Sequence, residues 1–210
     1  MAKKPHGASQ QSAAAIDAML ALAAERGWYA VSLADIAQRA KIGLAELHEQ
    51  FEGKDALLRE FVESVDLAVL KGELPEAEAS VRDRLFDVIM RRFDAMKPHR
   101  EGIRAILRDL RGDPCALLFG VPRLLATASL MLEAAGVSAS GPGGRLKAKA
   151  VAAIYLSTMR TWLADDSADM ARTMSALDRA LRRVEGVAML FCRGRRGSAD
   201  PAEGSEPAKV

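Results

Sequence analysis

The stretch from Ser32 to Phe51, S-L-A-D-I-A-Q-R-A-K-I-G-L-A-E-L-H-E-Q-F, most constrains what this chain can become. Leu33, Ile36, Ala37 and Ala40 recur at helical spacing, Ile42-Gly43 interrupts them, and Leu44, Leu47 and Phe51 resume the apolar stripe on a second short helix. Ser32 stands where its hydroxyl caps the first of these helices, and Asp35, three residues on, reaches back to the cap amide and favours the positive helix end. Two short helices with apolar stripes need a third to cover them. Ala13 to Arg26 is made of good helix formers, carries Ile16, Leu20 and Ala23 or Ala24 on one face, and stops at Gly27. Trp28, Tyr29 and Val31 are expected to plug the three-helix unit. The arrangement is a helix-turn-helix, a shape that places its second helix in the DNA major groove.

The remainder reads as further helices, so the expected fold is all-α. Lys54 to Leu70 turns Leu57, Leu58, Phe61, Val65 and Val69 inward until Gly72 and Pro75 end it. Ser80 opens a helix with Val81, Leu85, Val88, Ile89, Phe93 and Met96 as its stripe, stopped by Pro98. Arg100 to Arg111 follows, with Ile103, Ile106, Leu107 and Leu110 inward and a row of arginines outward. Asp113-Pro114 reads as a cap followed by proline at the first helical position. The helix from Pro114 to Ala135 is apolar nearly all round, with only Arg123 and Glu133 charged, and is expected to be central and surrounded. Pro122 cannot donate to the carbonyl of Leu118, which predicts a kink or local opening there. With amphipathic helices on both sides, this run is expected to be buried in protein and not inserted in a membrane.

Helical proteins place ligand cavities around such a helix, and ligand pockets are mostly apolar. The candidate lining is Met90, Phe93, Leu117, Leu118, Phe119, Leu125, Met131, Tyr155, Met159 and Trp162, each of which fits ordinary core as well. Gly136 to Gly144 reads as a flexible segment before two long final helices, Arg145 to Ala164 and Met170 to Phe191. The first presents Leu146, Ala150, Ala153, Ile154 and Ser157, and the second Met174, Leu177, Leu181, Val184 and Ala188. The tail, residues 192–210, is rich in Gly, Ser, Pro, Ala and charge and reads as disordered.

Composition narrows the function classes. Half of the 210 residues are hydrophobic and the formal net charge is +2, so the chain can bury a full core and has no polyelectrolyte character. Met1 to Ser12 is polar and does not read as a secretory signal. Cys115 and Cys192 lie far apart without a second ligand pair, which fits a reducing cytoplasm. His6, His48 and His99 are isolated, so no metal is expected, and no nucleophile elbow, phosphate loop or dinucleotide fingerprint appears. The expectation is a binding protein with no cofactor and no catalytic residues.

The run from Leu22 to Phe61 resembles the N-terminal domain of the TetR family of bacterial transcriptional regulators. Gly27, Ile36-Ala37, Phe51-x-x-Lys54 and Leu57 fall at the family's distances. The resemblance implies a helical repressor whose larger C-terminal domain binds a small molecule and dimerises through its last two helices, and the faces of those helices named above suit that pairing. Carried onto this chain it implies a flexible arm over residues 1–12, a DNA-binding domain over residues 13–53, a regulatory and dimerisation domain over residues 54–191, and the tail. The DNA-binding candidates are Ser32, Lys41, Leu44, Ala45, Glu46, His48 and Lys54, with Lys3, Lys4 and Arg39 as further phosphate clamps. The chain departs from the family pattern by placing Gly43, Glu46, His48 and Glu49 where a serine or threonine opening the helix, small or basic residues on its exposed face and a tyrosine near its end are usual. Residues 1–70 carry seven Lys and Arg against ten Asp and Glu, a net −3 where DNA-binding domains are normally basic.

A second resemblance competes. The segment A-A-I-Y-L-S-T-M-R-T-W-L-A-D-D-S-A-D-M, Ala152 to Met170, is similar to the C-terminal region of the lipid-binding proteins of ubiquinone biosynthesis. Those share the TetR-like fold, have lost DNA binding and hold isoprenoid lipids in an apolar cavity. Two readings follow: a homodimeric cytoplasmic regulator of operator DNA controlled by a small apolar effector, or a lipid-binding protein of the same fold.

Overall fold

The computed structural model describes residues 6–72 and 78–196, with side chains for all of these except 6–9, 116, 117, 119 and 185–196. Over that span the chain is built of helices joined by turns: α1 (His6–Arg26), α2 (Leu33–Ala40), α3 (Leu44–Gln50), α4 (Lys54–Lys71), α5 (Val81–Met96), a 3-10 turn (Lys97–His99), α6 (Arg100–Leu110), α7 (Pro114–Ala134), α8 (Gly141–Leu163) and α9 (Ala171–Arg196). No strand occurs among the described residues. None of the described helices is long and apolar enough to cross a membrane.

α1 is shared between two sets of helices. Its Met19, Leu20, Leu22 and Ala23 are almost fully buried, and it packs on α2 and α4 on one side and along α6 on the other. The contact with α6 is backbone against backbone. A Cβ on Gly102 would lie 2.4 Å from the Leu20 carbonyl oxygen, so only glycine lets the two helices approach this closely. The turn after α1 is tied to the same corner. Gly27 takes φ +84°, the left-handed conformation that ends a helix, and the Trp28 amide donates to the Asp109 carboxylate at 2.7 Å. That hydrogen bond, with a second from Arg108, holds the Asp109 carboxyl below the usual carboxylate range. Trp28 and Val31 fill the three-helix unit as expected, but Tyr29 is exposed. Its phenol leaves the unit to donate to Asp113 at 2.9 Å.

Several boundaries differ from the sequence expectation. α1 starts at His6, so part of the expected arm is helix, in keeping with its Ala and Gln residues and with Ser12, which is buried. The expected flexible Gly136 to Gly144 segment already turns into α8 at Gly141, with Pro142 in the first turn. Gly144 is buried there, and a Cβ on it would meet the Ala139 backbone at 2.1 Å, which makes this stretch a close-packed entry. α9 continues past Phe191 to Arg196, while residues 197–210 lie outside the described residues.

α7 is not the surrounded central helix that its apolar sequence suggests. Thr127, Ala128, Met131 and Leu132 in its second half are buried against α5 and α8, but Leu118 is 70% exposed and Val121 50% exposed in its first half. The helix runs through Pro122 without interruption. Arg123 holds this half to α4, pairing with Glu63 at 2.6 Å, so one side of it faces solvent.

The α8–α9 connection, residues 164–170, is fastened from α6 and the 3-10 turn. Arg100 donates to the Asp165 carbonyl at 2.5 Å, Arg104 to the Leu163 carbonyl and Lys97 to the Ala168 carbonyl at 2.8 Å. Within the turn the buried Asp165 carboxylate accepts four hydrogen bonds, from the amide and hydroxyl of Ser167 and from those of Thr173 in the first turn of α9. Burial pushes this carboxyl up, but the hydrogen bonds outweigh it and hold the group far below the usual carboxylate range. The sequence expectation for the final helices is corrected in one respect. Ile154, Leu177 and Leu181 belong to the protomer's own core, leaving Leu146, Ala153, Ser157 and Val184 exposed, while the Ala188 side chain lies outside the described residues.

Two tests follow from this packing. Gly102→Ala should drive α1 and α6 apart and cost about 3 kcal/mol through overpacking, against about 1 kcal/mol gained in helix propensity. The expected net loss, about 2 kcal/mol, is read from the denaturant midpoint. For Asp165, the folded carboxyl titrates below the unfolded one, so its stabilisation is complete above the unfolded value and fades as pH falls below about 4. Asp165→Asn should therefore be less stable at pH 7 than the parent, and the gap between their denaturant midpoints should narrow on acidification.

Candidate nucleic-acid interface and apolar core

The α2–α3 unit is held by its local chemistry. Ser32 Oγ accepts from the Asp35 amide at 3.1 Å, and the Ser32 amide donates to Asp35 Oδ2 at 2.9 Å, a complete capping box. The Ser32 hydroxyl and amide hold the Asp35 carboxyl below its ordinary range, with a smaller contribution from Arg26, 3.3 Å away. α2 ends at Lys41, which adopts φ 57° and donates its amide to the carbonyls of Ala37 and Gln38. Ile36, Ala37 and Leu47 go into the core beneath, and Gly43 starts α3 without a side-chain cap.

The seven sequence candidates divide on this frame. Lys41, Leu44, Ala45, Glu46 and His48 are exposed on the turn and on α3, one continuous stretch of surface. Lys41 has no ion pair among the described residues, whereas Arg39 pairs with Glu25 at 2.6 Å and Arg26 with Asp35. Ser32 is exposed but committed to its cap. Lys54 is partly buried: its ammonium donates to the Trp28 and Val31 carbonyls at 2.7 and 2.9 Å and lies 4.7 Å from the centre of the Trp28 ring. Burial lowers its pKa. Lys54 therefore fastens the Trp28–Val31 turn to the start of α4, with two of its three donors already used. Lys3 and Lys4 lie outside the described residues.

Glu46 is engaged in a contact that the sequence gives no means of finding, because its partner lies 35 residues away in the expected flexible arm. Gln11 Nε2 on α1 donates to Glu46 Oε1 at 2.7 Å, and Gln50 Nε2 donates to Gln11 Oε1 at 3.2 Å. One α1 side chain thus holds both ends of α3.

The ligand candidates gather between α5, α7 and α8, although not all of them. Phe93 stacks on Tyr155 and on Trp162 with ring centres 5.4 Å apart in each pair, and Met90, Met131 and Met159 are buried with them. Leu125 is half-buried at the edge, Leu118 is exposed on the other half of α7, and the Leu117 and Phe119 side chains lie outside the described residues. A charged group that the apolar pattern conceals is embedded here. Arg92, buried on α5, pairs with Asp66 on α4 and donates from Nε to the Tyr155 hydroxyl at 3.1 Å. Burial works against its charge, but Tyr155 and Asp66 sustain it and hold its pKa up. Burial likewise pushes the Tyr155 phenol up, against the pull of Arg92. Trp162 Nε1 and Thr158 Oγ1, one turn apart on α8, are buried without a hydrogen-bond partner among the described residues. Among these residues no group of His, Cys, Asp and Glu has metal-binding geometry.

Comparison with known proteins agrees with both halves of this picture. Residues 15–61 match the family of bacterial regulatory proteins of the tetR type, and residues 119–188 match the COQ9 family. No curated protein matches the sequence. Among solved structures, the chain is similar to a TetR transcriptional regulator from Nitrosomonas europaea ATCC 19718. The identity is 28% over 83% of this chain and 97% of that one, with a TM-score of 0.69. A TetR transcriptional regulator from Rhodococcus sp. RHA1 shares the fold at 17% identity, covering 84% and 96% of the two chains with a TM-score of 0.59. So does a transcriptional regulator from Pseudomonas aeruginosa PAO1, described as putative, at 18% identity, 85% and 90% coverage and a TM-score of 0.57.

Proposed function

We propose that this chain, which joins the fold and N-terminal domain of the TetR-family transcriptional regulators to a COQ9-like C-terminal half, is a DNA-binding repressor controlled by a small apolar ligand. The observation that carries the reading is the intact helix-turn-helix: a complete capping box on α2, a left-handed turn at Lys41, and α3 exposed along one face. The acidic balance of residues 1–70 weighs less than their sum implies, because charge acts locally. Glu46 is drawn to Gln11, Asp35 to Ser32 and Arg26, and Glu25 to Arg39, which leaves Lys41 beside the exposed face to meet phosphate.

Control by ligand fits the connections already described. A molecule entering among Phe93, Tyr155, Met159 and Trp162 displaces α5 and α8. Both are linked to α6, through the 3-10 turn and through the arginines that hold the α8–α9 connection, and α6 bears directly on α1. Two copies joined through the exposed parts of α8 and α9 would present two α3 helices to successive major grooves, and a shift in their separation would change operator affinity. A second reading, a lipid-binding protein that does not bind DNA, is favoured by the COQ9 match across most of α7, all of α8 and most of α9 and by the exposed Leu118 and Val121.

Titration with fragments of its own upstream DNA at two salt concentrations, with scrambled competitor, separates the readings. The regulator reading expects selective binding to a two-fold site that weakens steeply with salt. Binding to no fragment, with extractable apolar ligand found by mass spectrometry of the purified protein, would establish the lipid-binding reading instead. In the regulator, Lys41→Gly should raise the melting temperature, since glycine relieves about 1 kcal/mol of left-handed strain, and should reduce the log–log salt slope by about one.

A further inference from the structure

α3 has the sequence LAELHEQ and contains no lysine or arginine. The commonest base contact in the major groove, a cationic side chain on guanine O6 and N7, is therefore not available to it. The exposed residues that open it, Leu44 and Ala45, are aliphatic. Leu44 is 49% exposed and Ala45 is exposed beside it, while Leu47, the neighbour of Leu44 one turn on, is buried. Of the two acids on α3, Glu46 is held toward α1 by the Gln11 amide at 2.7 Å, with Gln50 bracing Gln11 from the next turn, while Glu49 stands exposed one turn on from Ala45. An aliphatic side chain finds one apolar feature among the base edges of the major groove, the C5 methyl group of thymine.

Resting on the regulator reading above, we infer that α3 reads thymine methyl groups through Leu44 and Ala45, and that Gln11 is a positioning residue that keeps Glu46 out of the groove. His48 and Glu49, one turn further along, are exposed and supply the polar contacts.

The experiment begins with selection of a binding site by the full chain from randomised duplex DNA. Each thymine of the selected site is then replaced singly by 2′-deoxyuridine, which removes one methyl group and nothing else, and dissociation constants are measured at fixed salt. At one or two positions in each half-site the replacement should weaken binding about four-fold, the effect of one buried methyl. Leu44→Ala, at a half-exposed position that leaves the core intact, should lose this sensitivity at one of those positions. Gln11→Ala should lower the ratio of selected-site to scrambled-DNA affinity, and adding Glu46→Gln should restore the ratio by removing the charge that Gln11 restrains. A merely structural role for Gln11 would give no such restoration. If a site is selected but no uridine replacement changes affinity as much as two-fold, methyl reading is wrong while the regulator reading stands. If no site is selected at all, both fall together.

Discussion

The close approach of α1 and α6 at Gly102 is the constraint on which the rest of the structure depends. α1 is the longest element of the helix-turn-helix unit and also the wall against which α6 lies, so the unit is built into the helical body and is not appended to it. Everything at the corner reinforces that joint: Asp109 caps the end of α1 through the Trp28 amide, Asp113 takes the Tyr29 hydroxyl, and Lys54 pins the intervening turn from the other side. Backbone contact transmits displacement better than contact through flexible side chains, because a packed interface has little slack to absorb it.

The same economy appears at the other end of α6. Arg100 and Arg104 satisfy carbonyls at the end of α8, and Asp165 there satisfies the opening amide of α9. A helix with a row of outward arginines looks solvated in one dimension, but in three dimensions two of those arginines fasten the last helix pair. α6 thereby links the α8–α9 pair to α1, and the buried Arg92–Asp66–Tyr155 group links α4, α5 and α8 across the centre.

How much of this was legible depended on distance along the chain. The capping box at Ser32 and Asp35, the inward stripes of α4 and α5 apart from the half-buried Leu58 and the exposed Val81, and the start of α7 after Asp113 are local, and residue spacing alone carries them. The helical architecture and the two resemblances were equally legible, since they rest on motifs within single segments. What escaped was non-local. The Gln11–Glu46 contact spans 35 residues, and Lys54, which reads as a phosphate clamp in the sequence, is committed to the Trp28 and Val31 carbonyls 26 and 23 residues away. α7 misled for a related reason: apolarity all round implies burial only where enough neighbours exist, and its first half has α4 on one side and solvent on the other. Ile154, Leu177 and Leu181 read as partner-facing in the sequence and lie in the protomer's own core, because a sequence stripe does not say which of two apolar partners, own core or second copy, it meets.

Native-state hydrogen exchange tests most directly whether the helix-turn-helix and the body form one unit. The Trp28 amide, bonded to Asp109, and the interior amides of α2 should exchange through the same opening as those of α6, with one free energy and one denaturant dependence. If the α2 and Trp28 amides exchange through a separate, lower-energy opening while α6 stays protected, the two parts are independent, and the joint at Gly102 does not couple them.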